Sequence, residues 1–107
     1  MPLQNINPTT TKAWGKLESH FSEMSSFSLK TAFKTDPERK EKFSLDFNDL
    51  HLDFSKNKMN QKTVDLLVEL AHEVELKDAI NRYFTGDIIN ETEDRAVLHT
   101  ALRSNSE

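Results

Sequence analysis

The stretch FSLDFNDLHLDF, residues 43–54, constrains the fold most. Phe43, Leu45 and Phe47 alternate with Ser44 and Asp46; after Asn48-Asp49, Leu50, Leu52 and Phe54 alternate with His51 and Asp53. Alternation with a period of two marks strands, and a two-residue Asn-Asp link suits a tight hairpin. The pairing that follows sets Phe47 against Leu50, Leu45 against Leu52 and Phe43 against Phe54. All six apolar side chains then share one face, and Ser44, Asp46, His51 and Asp53 share the other. A two-stranded hairpin is marginal alone, so its apolar face is expected to rest on helices.

The flanking sequence supplies helices. Asn7-Pro8 reads as a cap followed by a first-turn proline. Trp14, Leu17, Phe21 and Met24 then mark one apolar stripe on a helix from about Pro8 to Met24. Gly15 weakens that helix by roughly 1 kcal/mol relative to Ala. Ser28 is expected to cap a short helix with Leu29, Ala32 and Phe33 inward. Asp36-Pro37 opens a charged turn from Glu38 to Lys42. A longer helix is predicted from Asn60 to about Val74, with Val64, Leu67, Val68, Ala71 and Val74 buried and Leu66 and Leu70 broadening the stripe. Another follows with Leu76, Ala79, Ile80, Tyr83 and Phe84 inward, ended by Gly86 in the left-handed conformation. Asn90 and Glu93 read as a capping box for a last helix reaching about Leu102. The fold class is therefore mainly α with one β-hairpin, an α+β arrangement.

That last helix carries Ala96, Val97, Leu98, Ala101 and Leu102 over more than half its circumference. A helix apolar nearly all round belongs inside a larger core. The expectation is that further chain follows Glu107 or that a partner covers the helix.

Composition narrows the function. The chain has 107 residues, enough for one small domain, and a net charge of −4 with acids and bases interspersed. This opposes nucleic acid as the main partner, since phosphate binding wants clustered Lys and Arg. With no cysteine, disulfides and thiolate zinc sites are excluded. MPLQNINPTT lacks the regions of a signal peptide, and no apolar run approaches the ~20 residues of a membrane span. A cytoplasmic location is the expectation.

No constellation of catalytic type stands out. The two glycines lie apart, so no phosphate-cradling loop exists, and His72-Glu73 lacks the second His of a zinc helix. Asp46, Asn48, Asp49 and Asp53 resemble a calcium loop only superficially. Counting from Asp46, the sixth position is His51 instead of Gly and the twelfth is Asn57 instead of Glu. His51 faces Asp46 across the hairpin, which suits a surface ion pair. His20 and His72 lie among charged residues and are read as solvent-facing. His99, in AVLHTAL, is expected to be buried and satisfied, with Arg95 and Arg103 as ion-pairing neighbours; an anion site formed by these three is the alternative.

Phe84-Thr85-Gly86, Ile89-Asn90, Thr92-Glu93, Arg95-Ala96-Val97-Leu98-His99 and Ala101-Leu102-Arg103 closely resemble the N-terminal region of the glucose-6-phosphate isomerase family. Asp53-Phe54-Ser55-Lys56-Asn57 is similar to that family's (V/L)-D-(Y/F)-S-K-N stretch. Asn5-Ile6-Asn7-Pro8-Thr9 with Ala13-Trp14 resembles its bacterial branch. The departure is Ser104-Asn105-Ser106, where the family usually continues with Asn and often another Arg. The resemblance implies that residues 1–107 are a helical and hairpin lead-in to an α/β sugar-isomerase fold. It implies an isomerase interconverting glucose 6-phosphate and fructose 6-phosphate by general acid–base chemistry through a cis-enediol. A sugar phosphate substrate, a homodimer and no cofactor are also implied. The family's catalytic residues all come later in its chain. No catalytic, cofactor or metal residue is therefore assigned here, and the 107 residues alone are expected to be inactive. The competing expectation is a truncated, stand-alone helical interaction module.

Overall fold

The computed structural model describes residues 4–90, 95–97 and 99. Asn7 accepts from the Thr9 N–H and starts a short 3-10 turn, Pro8–Thr10. The helix proper, α1, is Lys12–Glu23, and its cap is Thr11, whose hydroxyl accepts from the Trp14 N–H. The single helix expected from Pro8 thus divides in two, because Thr11 is an extended residue with a competent capping hydroxyl. Ser28 caps α2, Leu29–Thr35, as the sequence suggests. Asp36 Oδ1 accepts from the Glu38 N–H and leads into one further turn, α3, Arg39–Lys42.

The hairpin follows. Strands β1, Ser44–Phe47, and β2, Leu50–Asp53, pair antiparallel with Phe47 opposite Leu50, Leu45 opposite Leu52 and Asp46 opposite His51. This is the register read from the alternation. Asn48 turns the chain with a φ of 52°, a left-handed conformation that Asn tolerates. Below the strands the Phe54 N–H donates to the Phe43 carbonyl, and their rings meet edge to face at 5.7 Å.

Asn60 and Thr63 form a reciprocal capping box on α4, Gln61–Glu73. A left-handed Glu75 then redirects the chain into α5, Leu76–Thr85. Gly86 ends α5 with φ 82°, its N–H bonded to the Arg82 carbonyl. The next element departs from expectation. Ile88–Asn90 forms β3, which pairs antiparallel with β4, Arg95–Ala96. Arg95 and Ala96 are thus strand residues, where the sequence reading placed the first turn of a helix. The start of an apolar run cannot by itself separate strand from helix, and pairing with Ile88 and Asn90 decided it. Thr92, Glu93, Leu98, Ala101, Leu102 and Arg103 lie outside the described residues.

Helices α1 and α4 pack antiparallel, and polar contacts mark their seam from end to end. The Ala13 N–H donates to Glu73 Oε2 at 2.7 Å, Lys16 Nζ to Glu69 at 2.8 Å, and Lys62 Nζ to Glu23 at 2.9 Å. Glu73 thereby satisfies a free N–H in the first turn of α1 and sets a negative charge against its positive end.

Burial corrects the expected faces. On α1 the buried residues are Ala13 and His20, while Phe21 is 81% exposed. On α4 Leu66 is buried, and Leu67 and Val68 are exposed. Leu76, Ile80 and Phe84 of α5 are also exposed. The hairpin's apolar face does not rest on helices: Leu45, Phe47, Leu50 and Leu52 are each more than half exposed, and only Phe43 at its base is buried.

The shape explains this. The molecule measures 49 × 37 × 17 Å, with a radius of gyration of 18.0 Å. A compact domain of this length has a radius of about 13 Å. The chain is thus spread flat, and much of its apolar surface is left without a second body to close over it.

Candidate functional site

Two polar centres organise the described residues, and the sequence reading singled out neither. The first is His20, read as solvent-facing but in fact only 3% exposed. Nε2 lies 2.6 Å from Thr63 Oγ1 on α4, and Nδ1 lies 3.1 Å from Glu23 Oε2 one turn on. Thr63 Oγ1 also accepts from the Asn60 N–H and lies 3.1 Å from Asn60 Oδ1. The hydroxyl has one proton to give. If the neutral ring donates from Nδ1 to Glu23, Nε2 takes the hydroxyl proton. If both ring nitrogens carry hydrogens, Thr63 can donate to Asn60 instead. His20 thus joins the α1–α4 seam to the cap of α4. Glu23 is held below the ordinary glutamate range by the hydrogen bond from Lys62 first and by His20 second.

The second centre is Arg39, also 3% exposed. Among the described residues no carboxylate is bonded to it. Nε donates to the Ser55 carbonyl at 2.9 Å; Nη2 donates to the Asn57 carbonyl at 3.0 Å and the Met59 carbonyl at 2.9 Å. Its guanidinium lies 4.5 Å from the centre of the Phe43 ring and 5.6 Å from those of Phe27 and Phe33. Three carbonyls on the edge and aromatic rings around the group suit a planar, weakly hydrated cation. Arg39 thus staples the loop joining the hairpin to α4. The sequence held one signal for it: Arg39 lies four residues before Phe43, so on a helical turn the two share a face.

Asp53 completes this loop. Its Oδ1 accepts from the Ser55 N–H at 2.9 Å and from the Ser55 hydroxyl at 2.6 Å. Those bonds, the hydroxyl's first, hold its carboxyl below the ordinary aspartate range. Ser55 itself is 1% exposed.

A cleft of about 450 Å³ opens beside Arg39, lined by Phe27, Thr31, Asp36, Lys42, Phe43 and Gln61 among others. Lys42 Nζ lies 2.9 Å from Asp36 Oδ2. That hydrogen bond is the main cause holding Asp36 below its ordinary range.

The residues weighed from sequence fall elsewhere. His51 Nδ1 does meet Asp46 Oδ1, at 2.5 Å on the exposed face of the hairpin. Asp53 turns away to Ser55, so the acidic residues of the hairpin do not converge on a common point. His72 is exposed, as read. His99 is exposed, not buried, and Arg95 is an exposed strand residue; the expected helix that would have aligned them is not formed at Arg95. Arg103 lies outside the described residues.

Comparison with known proteins follows the same line as the sequence motifs. The sequence model for phosphoglucose isomerase matches residues 53–107. A glucose-6-phosphate isomerase of Christiangramia forsetii is 51% identical over 105 residues, 98% of this chain and 19% of the relative. The chain thus spans about a fifth of the length of that curated relative.

Proposed function

The chain belongs to the phosphoglucose isomerase family, and from that membership we propose that residues 1–107 form the N-terminal segment of an aldose–ketose isomerase. The reaction is the interconversion of glucose 6-phosphate and fructose 6-phosphate, a step of glycolysis and gluconeogenesis. The carrying observation is coverage: half-identical sequence across nearly all of this chain accounts for only 19% of the relative. The proton transfer between C1 and C2 belongs to residues beyond this segment, and no residue here is assigned a catalytic role. Holding the sugar phosphate is likewise work for the remaining chain.

The segment's own contribution is structural. Its exposed apolar residues lie on the hairpin face, on α4 at Leu67 and Val68, and on α5 at Leu76, Ile80 and Phe84. Apolar surface of that extent suits packing against a larger body. We assign that role to the remainder of the isomerase, working as a cytoplasmic homodimer. No helix among the described residues is long and apolar enough to cross a membrane.

A coupled assay on fructose 6-phosphate tests this reading. The protein at its natural length should turn over, and the 107-residue chain should not. No turnover by the natural-length protein would overturn the isomerase reading. Robust turnover by the short chain would overturn the placement of the chemistry. A short chain that melts sharply as a soluble monomer would favour a stand-alone interaction module.

A further inference from the structure

The seam between α1 and α4 holds a buried titratable group that the isomerase reading does not use. His20 is almost fully buried, and both of its ring nitrogens are engaged. Nδ1 lies 3.1 Å from Glu23 Oε2, and Nε2 lies 2.6 Å from Thr63 Oγ1. The same Thr63 oxygen accepts from the Asn60 N–H at 3.1 Å and lies 3.1 Å from Asn60 Oδ1. Asn60 is oriented by further bonds: Nδ2 donates to Met24 Sδ at 3.5 Å, and Oδ1 accepts from the Thr63 N–H at 3.0 Å. His20 Nε2 and Asn60 Oδ1 therefore compete for one hydroxyl hydrogen whenever Nε2 carries none.

Counting hydrogens gives two arrangements. Nδ1 keeps its hydrogen in both, because the Glu23 carboxylate can only accept. With Nε2 bare, the Thr63 hydroxyl donates to the ring, and Oγ1 and Oδ1 face each other with no hydrogen between them. When Nε2 takes up a proton from solvent, its N–H donates to Oγ1 and the hydroxyl hydrogen turns to Asn60 Oδ1. Thr63 Oγ1 then accepts two hydrogens and gives one, and every contact is filled. The charge gained faces Glu23 on α1, whose carboxylate is also bonded to Lys62 of α4 at 2.9 and 3.0 Å. Further along the seam Lys16 and Glu69 pair with each other. Glu23, held below the ordinary glutamate range by Lys62 and then His20, stays ionised where histidines titrate.

We propose that His20, Thr63 and Asn60 form a pH-sensitive relay, in which protonation of His20 Nε2 turns the Thr63 hydroxyl from the ring to Asn60 Oδ1. In the charged state a continuous chain of hydrogen bonds ties α1 to the capping residue of α4. In the neutral state the hydroxyl's link to Asn60 Oδ1 is broken, and the cap keeps only its own reciprocal bonds between Asn60 and Thr63.

The test uses the protein at its natural length, with isotope-labelled histidine, asparagine and threonine. Nuclear magnetic resonance reads both ends of the relay between about pH 5 and 8, where histidine changes charge. In wild type the Asn60 backbone amide signal should move with the same midpoint as the His20 ring. Thr63→Ser keeps a hydroxyl and should keep this coupling. Thr63→Val has the same shape without the hydroxyl: the His20 ring should still titrate, and the Asn60 response should fall to a small part of its wild-type size. His20→Gln should abolish the Asn60 response in this range, which keeps the test open where Thr63→Val fails to fold. An Asn60 response as large in Thr63→Val or His20→Gln as in wild type would overturn the proposal. So would a His20 ring that does not titrate in this range, or an Asn60 signal that does not follow it.

Discussion

Replacing Arg39 with methionine should release the loop between the hairpin and α4 while leaving a side chain of similar length. The variant strands three acceptors. The Ser55 carbonyl is bonded in buried surroundings, and those of Asn57 and Met59 in part-buried ones that water can reach more easily. A hydrogen bond to a charged group contributes roughly 1.5–3 kcal/mol. Taking about 2 kcal/mol for Ser55 and about 1 kcal/mol for each of the others gives roughly 4 kcal/mol. The face of the Phe43 ring adds about 1 kcal/mol more. Native-state hydrogen exchange reads this directly. The Asn57 N–H bonds the Phe54 carbonyl and the Met59 N–H bonds the Asn57 carbonyl, both within the stapled loop. An opening cost lowered by about 5 kcal/mol accelerates their exchange on the order of several thousandfold, up to the limit set by global unfolding. Lys42→Ala, which removes only an exposed ion pair, should leave these amides unchanged. Exchange in Arg39→Met within tenfold of wild type would refute the assignment of Arg39 as the staple.

The two glycines should respond oppositely to alanine. A Cβ at Gly15 meets nothing within 4 Å, so Gly15→Ala should stabilise α1 by about 1 kcal/mol; Gly86, at φ 82°, should lose about 1–2 kcal/mol on the same change. Urea midpoints of both variants check this, and shifts of equal sign would count against it. Asp53 supplies a pH prediction. Its carboxyl is held low in the folded chain by Ser55, so its stabilisation is present above the unfolded aspartate range and lost as pH falls through the folded value. Asp53→Asn should therefore flatten part of the loss of stability below about pH 4. An unchanged acid limb would show that the Ser55 bonds contribute nothing.

What could be read from sequence was what short-range rules decide. The hairpin register followed from strict alternation around Asn48-Asp49, and Ser28, Asn60 and Gly86 cap or end helices where their chemistry predicts. Which face of a helix turns inward was harder. On α1 the apolar spacing favoured Phe21, yet His20 is inside because Thr63 and Glu23 satisfy both ring nitrogens. Partners 43 residues away on another helix leave no local trace. On α4 the apolar residues were too many for periodicity to choose a face, and Leu66 is buried instead of Leu67 and Val68. Local apolar content marks Arg95 and Ala96 as helix, whereas pairing with Asn90 and Ile88 makes them strand. Arg39 was hidden among the charges of its turn; its acceptors are backbone carbonyls, which any sequence carries.

If the proposed function holds, the uncovered hairpin face is an internal surface of a longer isomerase. The most direct measurement places a cysteine at Leu50 in two backgrounds, the 107-residue chain, which has no cysteine of its own, and the natural-length protein. The rate of thiol labelling is then read at that peptide by mass spectrometry. Leu50 is 71% exposed, so labelling should be fast in the short chain. It should be slow in the natural-length protein, where the remaining chain covers the face. Equal, fast labelling in both would contradict the account.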